Sequence, residues 1–527
     1  SRRWWRSVSS GCSRRGRRRL PPLPPPLSLP RAAAMSPAAT GRLTFARGLA
    51  SSAPAEGGGD GGEFKVLAID RSGLLGARTM ALQDGLQHGD SEEGGTTVAK
   101  SAETPLLSEM KTIFATRGPL TLAEYFQMCL GHPEFGYYQR QRVFGKQGDF
   151  VTSPELTQIF GELLGVWTLA TWAQCGQPSP FHLVELGPGR GTLMHDILRT
   201  AERFTSFVEG VTIHLVENSL QLRERQKEML NVTLEPSEDS EDEKDLPVMA
   251  RTAVKGRTAT GIDVHWHWIV DTVPADAPIF CIAHEFFDAI PIHQFQHTER
   301  GWCEVLVDSA HDSNDPHHVK YVLCPSPSPS TLAYLGVDAD TRRKFVETMP
   351  QEYREGDPED QNDKGSTPTS PGLIIDPPVQ RGKSGVPLEA DPGIPMGVRI
   401  EAGPMRNVLM NTLAKKIDAA GGAALIIDYG EDHPQPFTLR GIKDHSFASP
   451  LESPGEVDLS AHVDFSSLRR VARQASSSLQ IFPVVPQGAF LLNLNIEART
   501  RALCENASDE QKEAIEQTVM RLVSEDQ

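Results

Sequence analysis

The chain has 527 residues, 39% hydrophobic and 23% charged, with a formal net charge of −17. Such a length exceeds one hydrophobic core, and the composition excludes a fibrous or wholly disordered chain. Residues 1–55 carry 11 arginines and no acid, which leaves 41 basic against 69 acidic residues in the remainder, a net of −28. A body that acidic argues against nucleic acid as partner; it suits a cationic partner better, or serves solubility alone.

In chain order, the first segment reads as an address. Residues 1–55 are Arg- and Ser-rich and acid-free, the pattern of a mitochondrial transit segment, and Met35 reads as the natural start after 1–34. Residues 56–104 are Gly-, Ser- and Glu-rich and read as a poorly ordered linker. From Pro105 the spacing of Leu, Met, Ile and Phe predicts a helical region over 105–180. Strand-like runs follow at Phe181–Leu186, Val211–Glu217, Ile279–His284, Trp302–Val307, Ala424–Tyr429 and Ala489–Ile496. Helical patterns lie between several of them, at Ser153–Ala173, Gly191–Phe207, Leu220–Leu230 and Val408–Ala420. Strands alternating with helices predict an α/β fold with a doubly wound sheet over 181–500. An acidic run at 235–247 and a Pro-, Gly- and Asp-rich run at 354–397 read as disordered insertions, and 501–527 as a C-terminal helix. The seven cysteines form no CxxC pair and no Cys/His spacing suggests zinc, so no metal is expected. No run approaches the ~18 apolar residues of a membrane span.

The most informative stretch is Phe181–Arg199, "FHLVELGPGRGTLMHDILR". An apolar strand, a turn with Gly187, Gly189 and Gly191, and an amphipathic helix make a general nucleotide-binding feature. A Walker A loop would end in Gly-Lys-Ser/Thr, and a dinucleotide fingerprint would place Gly or Ala at 192, where Thr192 stands. The pattern E-x-G-x-G-x-G resembles motif I of class I S-adenosylmethionine (SAM) methyltransferases. Glu185 at the strand end can accept from the ammonium of the SAM tail. Glu217 ends the next strand, where an acid can take both ribose hydroxyls.

Further segments occur in one order: Gly136–Tyr138, Gly148–Trp167, Ala283–Phe295, Ala424–Gly430 and Asp444–Phe465. With these, the chain resembles the MidA-like SAM-dependent methyltransferases, a family that includes a mitochondrial protein-arginine methyltransferase assisting complex I assembly. The resemblance implies a class I SAM-methyltransferase (Rossmann-like) sheet with an N-terminal, mainly helical extension and inserted loops. It implies a type II activity: symmetric dimethylation of an arginine on a core complex I subunit in the mitochondrial matrix. It also implies that the Gly148–Glu155 loop covers SAM, which makes Asp149 and Thr152 cofactor candidates. The segment "IEAGP" (Ile400–Pro404) departs from the family pattern, which has Cys before Pro.

Methyl transfer to a guanidinium brings two cations together, so carboxylates must orient the nucleophile and stabilise the charge. "HEFFDAIP" ends the expected fourth strand and offers Glu285 and Asp288, with His284 adjacent. These three are the candidate catalytic residues. A structural reading competes: the two acids would cap a helix beginning near Asp288. Asp428, His462 and Asp464 are candidates for a substrate channel or for structural hydrogen bonds. Two other functions compete with the arginine methyltransferase. One is a non-catalytic complex I assembly scaffold that retains a SAM-binding fold. The other is a methyltransferase for a different substrate.

Overall fold

The computed structural model describes residues 68–70, 101, 103–139, 153–235, 253–311, 315–325, 327–336, 339–354, 373–374, 391, 393–505 and 507–523. Among them, nine strands form the central sheet. In chain order these are β1 (Ala68–Asp70), β2 (Phe181–Leu186), β3 (Val211–Val216), β4 (Val232–Leu234), β5 (Val254–Thr258), β6 (Asp263–His267), β7 (Ile279–His284), β8 (Gly422–Asp428) and β9 (Val484–Pro486). Across the sheet they run β9-β1-β8-β7-β2-β3-β6-β5-β4. All neighbours are parallel from β9 to β6, and β6-β5-β4 is an antiparallel edge.

The strand order reverses on either side of β2, which pairs with β3 and β7. In doubly wound sheets ligands bind at such a switch point, beyond the carboxyl ends of the strands. The expected α/β doubly wound architecture is therefore present. β1 lies inside the stretch read as a linker. Three residues with one acid are too short to signal a strand by periodicity.

Both faces of the sheet are apolar, so strands such as Phe181–Leu186 are buried along their whole length. On one face Phe181, Leu183, Ile213, Leu215, Phe280 and Ile282 pack among helices Gln158–Gln174 and Thr192–Ala201 and the C-terminal helices. On the other, Val184, Leu186, Cys281 and Ala283 meet helices Pro404–Ala420 and Phe465–Ala475. Each fully buried Val, Leu, Ile or Phe among them contributes ~1.5–3 kcal/mol before chain entropy is counted. Helices Gln158–Gln174 and Thr192–Ala201 approach closely at two glycines. A Cβ on Gly161 would lie 2.5 Å from Asp196 Cβ, and one on Gly165 2.7 Å from Thr200 Cβ.

A second, six-stranded sheet lies outside the doubly wound unit. Strands His293–Thr298, Gly301–Ser309 and Val319–Leu323 form its antiparallel centre. Trp302–Val307, expected in the parallel sheet, belongs here instead. Helices Pro105–Arg117 and Leu122–Gly131 pack on this sheet through Leu107, Met110, Tyr125 and Phe126, against Val305, Val307 and Tyr321. Thr121 and Glu124 close a reciprocal capping box at the second helix.

One expected element is corrected. Ala489–Ile496 is not a strand but the helix Gln487–Asn493, followed by helix Ile496–Cys504. A short apolar run satisfies either period, and Phe490, Leu491 and Ile496 bury themselves in the first-face core as a helical stripe. Residues 235–247 and 354–397 lie largely outside the described residues, apart from Glu235, Arg354, Leu373–Ile374, Asp391 and Gly393–Gly397.

Candidate functional site

The carboxyl end of β2 sets the site. Glu185, one residue from that end, is 3% exposed. Its Oε2 is buried and has no hydrogen-bond partner among the described residues. Burial, reinforced by the neighbouring Glu217, pushes its carboxyl up to about 8. The chain then turns through Gly187, Gly189 and Gly191 with φ of 63°, 52° and 84°. These left-handed conformations cost glycine nothing and most other residues ~1–2 kcal/mol each. A Cβ on Gly187 would stand 2.5 Å from Cδ2 of Phe286, so the turn has no room for a side chain on that side. Gly191 opens helix Thr192–Ala201, whose first N–H groups face the turn.

Glu217 follows β3 directly. Its Oε1 accepts from the Ser219 N–H at 2.8 Å and its Oε2 from Gln226 Nε2 at 3.2 Å. Gln226 is fully buried and also donates to the Gly189 carbonyl at 2.7 Å. Its Oε1 accepts from Trp266 Nε1 at 2.9 Å. One glutamine thus fixes the acid of the second strand to the glycine turn of the first. Arg223 donates to the carbonyls of Glu217 and His267 and lies 3.8 Å over the Trp268 ring. Burial pushes the Glu217 carboxyl up to about 7, against the opposing hydrogen bonds of Ser219 and Gln226.

The ends of β7 and β8 form the facing wall. His284 and Glu285 meet here, with His284 Nε2 3.3 Å from Glu285 Oε1 and both side chains 6% exposed, and Asp288 follows in the same loop. Glu285 has φ of 47°, a left-handed conformation that stores strain in a non-glycine residue. No helix begins at Asp288, so the capping role does not apply to these acids. Instead Asp288 is held from several sides. Ser460 Oγ donates to its Oδ2 at 3.0 Å, and the Ala461 N–H and Arg406 both donate to its carbonyl.

Asp428, the last residue of β8, explains the loop. Its Oδ2 accepts from the N–H groups of Phe286, Phe287 and Asp288 at 3.2, 2.8 and 3.2 Å. It is a fully buried anchor around which "EFFD" is wound, not a channel residue. Arg406, in the first turn of helix Pro404–Ala420, donates to the carbonyls of Asp288, Ile290, Ala461 and His462. It therefore joins the Asp288 loop to the Ala461 loop. Asp464 caps helix Phe465–Ala475, and His462 meets Arg440. Burial, with Arg440 and Arg406 nearby, holds the His462 imidazole down to about 3.

Residue-by-residue reading of the sequence missed three of these positions: Gln226, Arg406 and Tyr138. Tyr138 donates no sequence signal beyond the "GYY" triplet. Burial raises its phenol well above the ordinary range, and Asp458, Asp288 and Glu217 add to this. Ser219 Oγ donates to its carbonyl at 3.0 Å. Asp149 and Thr152 lie outside the described residues.

The donor set fits SAM. The buried, unpartnered Oε2 of Glu185 needs a donor, and the ammonium of the amino-acid tail is one. The Glu217 carboxylate retains lone pairs for the two ribose hydroxyls. Gly187, Gly189 and Gly191 supply a close backbone surface. No phosphate-binding Lys is present in the turn, and SAM has no phosphate.

Residues 163–483 match the family model described as S-adenosyl-L-methionine-dependent methyltransferase. The chain is 37% identical over 408 residues to the rat protein named "Protein arginine methyltransferase NDUFAF7, mitochondrial", covering 77% of this chain and 78% of that one. The human protein of that name is 35% identical over 417 residues, covering 79% of each. The Drosophila melanogaster homolog is 32% identical over 418 residues, covering 79% and 81%. A Burkholderia thailandensis protein crystallised with S-adenosyl-homocysteine has the same fold, with a TM-score of 0.52 and 22% identity over 81% of this chain and 92% of that one. The glycine turn between two buried carboxylates and the family match over most of the chain lead to one conclusion: the chain belongs to the S-adenosyl-L-methionine-dependent methyltransferases.

Proposed function

We propose that this methyltransferase is a type II protein-arginine N-methyltransferase of the mitochondrial matrix. Its substrate is an arginine on a core subunit of respiratory complex I, its product is symmetric dimethylarginine, and its action serves assembly of that complex. The names of the rat, human and fly relatives support arginine and mitochondrion. The observation that carries the reading is the rigidly held acidic wall facing the glycine turn, made by Glu285 and Asp288.

When bound, SAM supplies a methyl group on a cationic sulfur. Glu185 holds the tail ammonium, Glu217 the ribose, and Gly187, Gly189 and Gly191 the main body of the cofactor. The family resemblance adds Asp149 and Thr152 as further cofactor contacts. Glu285 and Asp288 orient the guanidinium bidentately and offset the charge that accumulates as it approaches. The proton that the guanidinium sheds on methylation goes to Glu285, and His284 beside it can relay that proton away. Asp428 and Arg406 hold these carboxylates in position without touching substrate.

The test combines the full chain, labelled SAM and an extract of mitochondria lacking this protein. Symmetric dimethylarginine on one complex I subunit is expected, identified by mass spectrometry. Glu285→Gln and Asp288→Asn variants should bind SAM within about threefold of wild type and lose transfer. Label on a residue other than arginine overturns the substrate. Full restoration of complex I by a Gly189→Val variant that binds no SAM overturns catalysis in favour of a scaffold.

A further inference from the structure

Four imidazoles cover one corner of the central sheet, on the face opposite Glu185. His182 stands on β2, His214 on β3, and His265 and His267 on β6. In register, His214 pairs with His265, Val184 with His214, and Val216 with His267. Side chains alternate along strands, so 182, 214, 265 and 267 share one face and Glu185 points to the other. A doubly wound sheet normally covers such a corner with the crossover helix between adjacent strands. Here β6 and β7 are joined through a single 3-10 turn, Val270–Thr272, and imidazoles take the place of an aliphatic layer.

The rings are ordered by one another. His182 Nε2 meets Asp276 Oδ1, His214 Nε2 meets His182 Nδ1, and His214 Nδ1 meets His267 Nε2, each at 2.9 Å. His267 Nδ1 meets Thr272 Oγ1 at 2.9 Å, and that hydroxyl donates to the Ile269 carbonyl. Since Thr272 spends its proton on Ile269, His267 must donate through Nδ1. Its Nε2 therefore presents a lone pair toward His214 and His265.

We propose that His214, His265 and His267 form a binding site for one divalent transition-metal ion of the zinc class. One ligand atom from each of the three lies within 4.8 Å of the others. Tetrahedral zinc with nitrogens at about 2.0–2.1 Å holds them about 3.4 Å apart, a change within reach of side-chain rotation. The ion enters between His214 Nδ1 and His267 Nε2 and displaces the proton they share to solvent. Thr272 behind His267, and His182 with Asp276 behind His214, supply the outer hydrogen bonds that orient metal-bound imidazoles. His214 is fully buried and His267 nearly so, whereas His265 is half-buried and opens the path from solvent. Lys255, opposite His265 on β5, acts against a cation, and Asp263 and Glu235 act for it. Three imidazoles without thiolate select Zn²⁺, Cu²⁺ or Ni²⁺ over Mg²⁺ and Ca²⁺. No zinc spacing announces the site, because two ligands sit two residues apart and the third comes from the neighbouring strand.

The experiment titrates chelator-stripped full chain with Zn²⁺ by calorimetry and measures bound zinc after dialysis. About one equivalent is expected. His265→Gln and His267→Gln should each weaken zinc binding at least tenfold, while His311→Ala, on the surface, leaves it unchanged. X-ray absorption of the zinc-loaded wild type should show three imidazole nitrogens at about 2.0–2.1 Å, which tests the site even where a variant fails to fold. No uptake by wild type, unchanged uptake in both glutamine variants, or a sulfur- or oxygen-only shell overturns the site.

Discussion

Two regions of this molecule bury carboxylates and treat them in opposite ways. Around the second sheet the deeply buried acids Glu304, Glu401 and Asp391 are each matched. Glu401 accepts from Gln294 Nε2, the Thr438 N–H and hydroxyl, and the Leu439 N–H. Asp391 accepts from Arg342 Nε at 2.6 Å and Nη2 at 2.7 Å, and from Trp302 Nε1 at 2.9 Å. Burial alone would raise the Asp391 carboxyl, but Arg342 and Trp302 outweigh it and hold the group below its ordinary value. At the carboxyl ends of β2 and β3 the pattern reverses. Glu185 has an oxygen with no partner among the described residues, and both Glu185 and Glu217 are pushed up toward neutrality. A satisfied acid holds the fold together. An unsatisfied one costs stability and is retained for what it binds.

The comparison breaks most visibly at Asp391. Replacing it by Leu strands the buried Arg342 guanidinium and should cost ~3–5 kcal/mol in urea unfolding. The pair Arg342→Met with Asp391→Leu should recover most of that loss, because no charge is left uncompensated. SAM affinity of the folded protein should stay unchanged in both. A loss of SAM binding in the double variant would deny that this ion pair is purely structural.

Glu185→Gln is the mirror experiment. In the proposed binding mode it removes a charge-assisted bond to the cofactor ammonium, worth ~1.5–3 kcal/mol, so SAM affinity should fall by about 10- to 150-fold. Stability without cofactor should move the other way. The folded-state value of about 8 lies above the ordinary 4.5, so the wild type loses stability as pH rises between those values. The glutamine variant does not titrate. Its melting temperature should match wild type near pH 4.5 and exceed it at pH 8. Equal melting temperatures at pH 8 would show that Glu185 is not strained by burial.

What was legible in the sequence follows from distance along the chain. The strand, glycine turn and helix at 181–199 are contiguous, so the turn chemistry is written in consecutive residues. Glu217 was legible because it ends the very next strand. Gln226 was not: it binds the carbonyl of Gly189, 37 residues away, and only the packed helix Leu220–Met229 brings it there. Arg406 reads as an ordinary helical arginine until its four carbonyl partners, all from distant loops, are seen. The second sheet escaped for a related reason. His293–Thr298 carries His293, Gln294, Gln296 and His297 at inner positions, polar residues that hide a strand until Glu304, Glu401, Arg399 and the Pro395 carbonyl pair with them.

The smallest expected effect is the most diagnostic, since it reads both buried acids at once. In the proposed binding mode SAM presents an ammonium to Glu185 and two hydroxyls to Glu217, and both prefer the ionised carboxylate. Without cofactor the two groups sit at about 8 and about 7. With cofactor the ammonium draws Glu185 downward, so binding between those limits expels protons. Affinity must therefore rise with pH, and between pH 6 and pH 7 the share of Glu185 in that gain should be on the order of tenfold. That window keeps the cofactor's own amine, with an ordinary value near 7.7–8.0, in its charged form. Calorimetry in buffers of different ionisation enthalpy should record proton release in this range. Glu185→Gln should reduce the slope to the share of Glu217 alone, and a Glu217→Gln variant should leave the share of Glu185. A pH-independent affinity in the wild type would mean that both acids are already ionised before the cofactor arrives, and the contrast with Asp391 would then disappear.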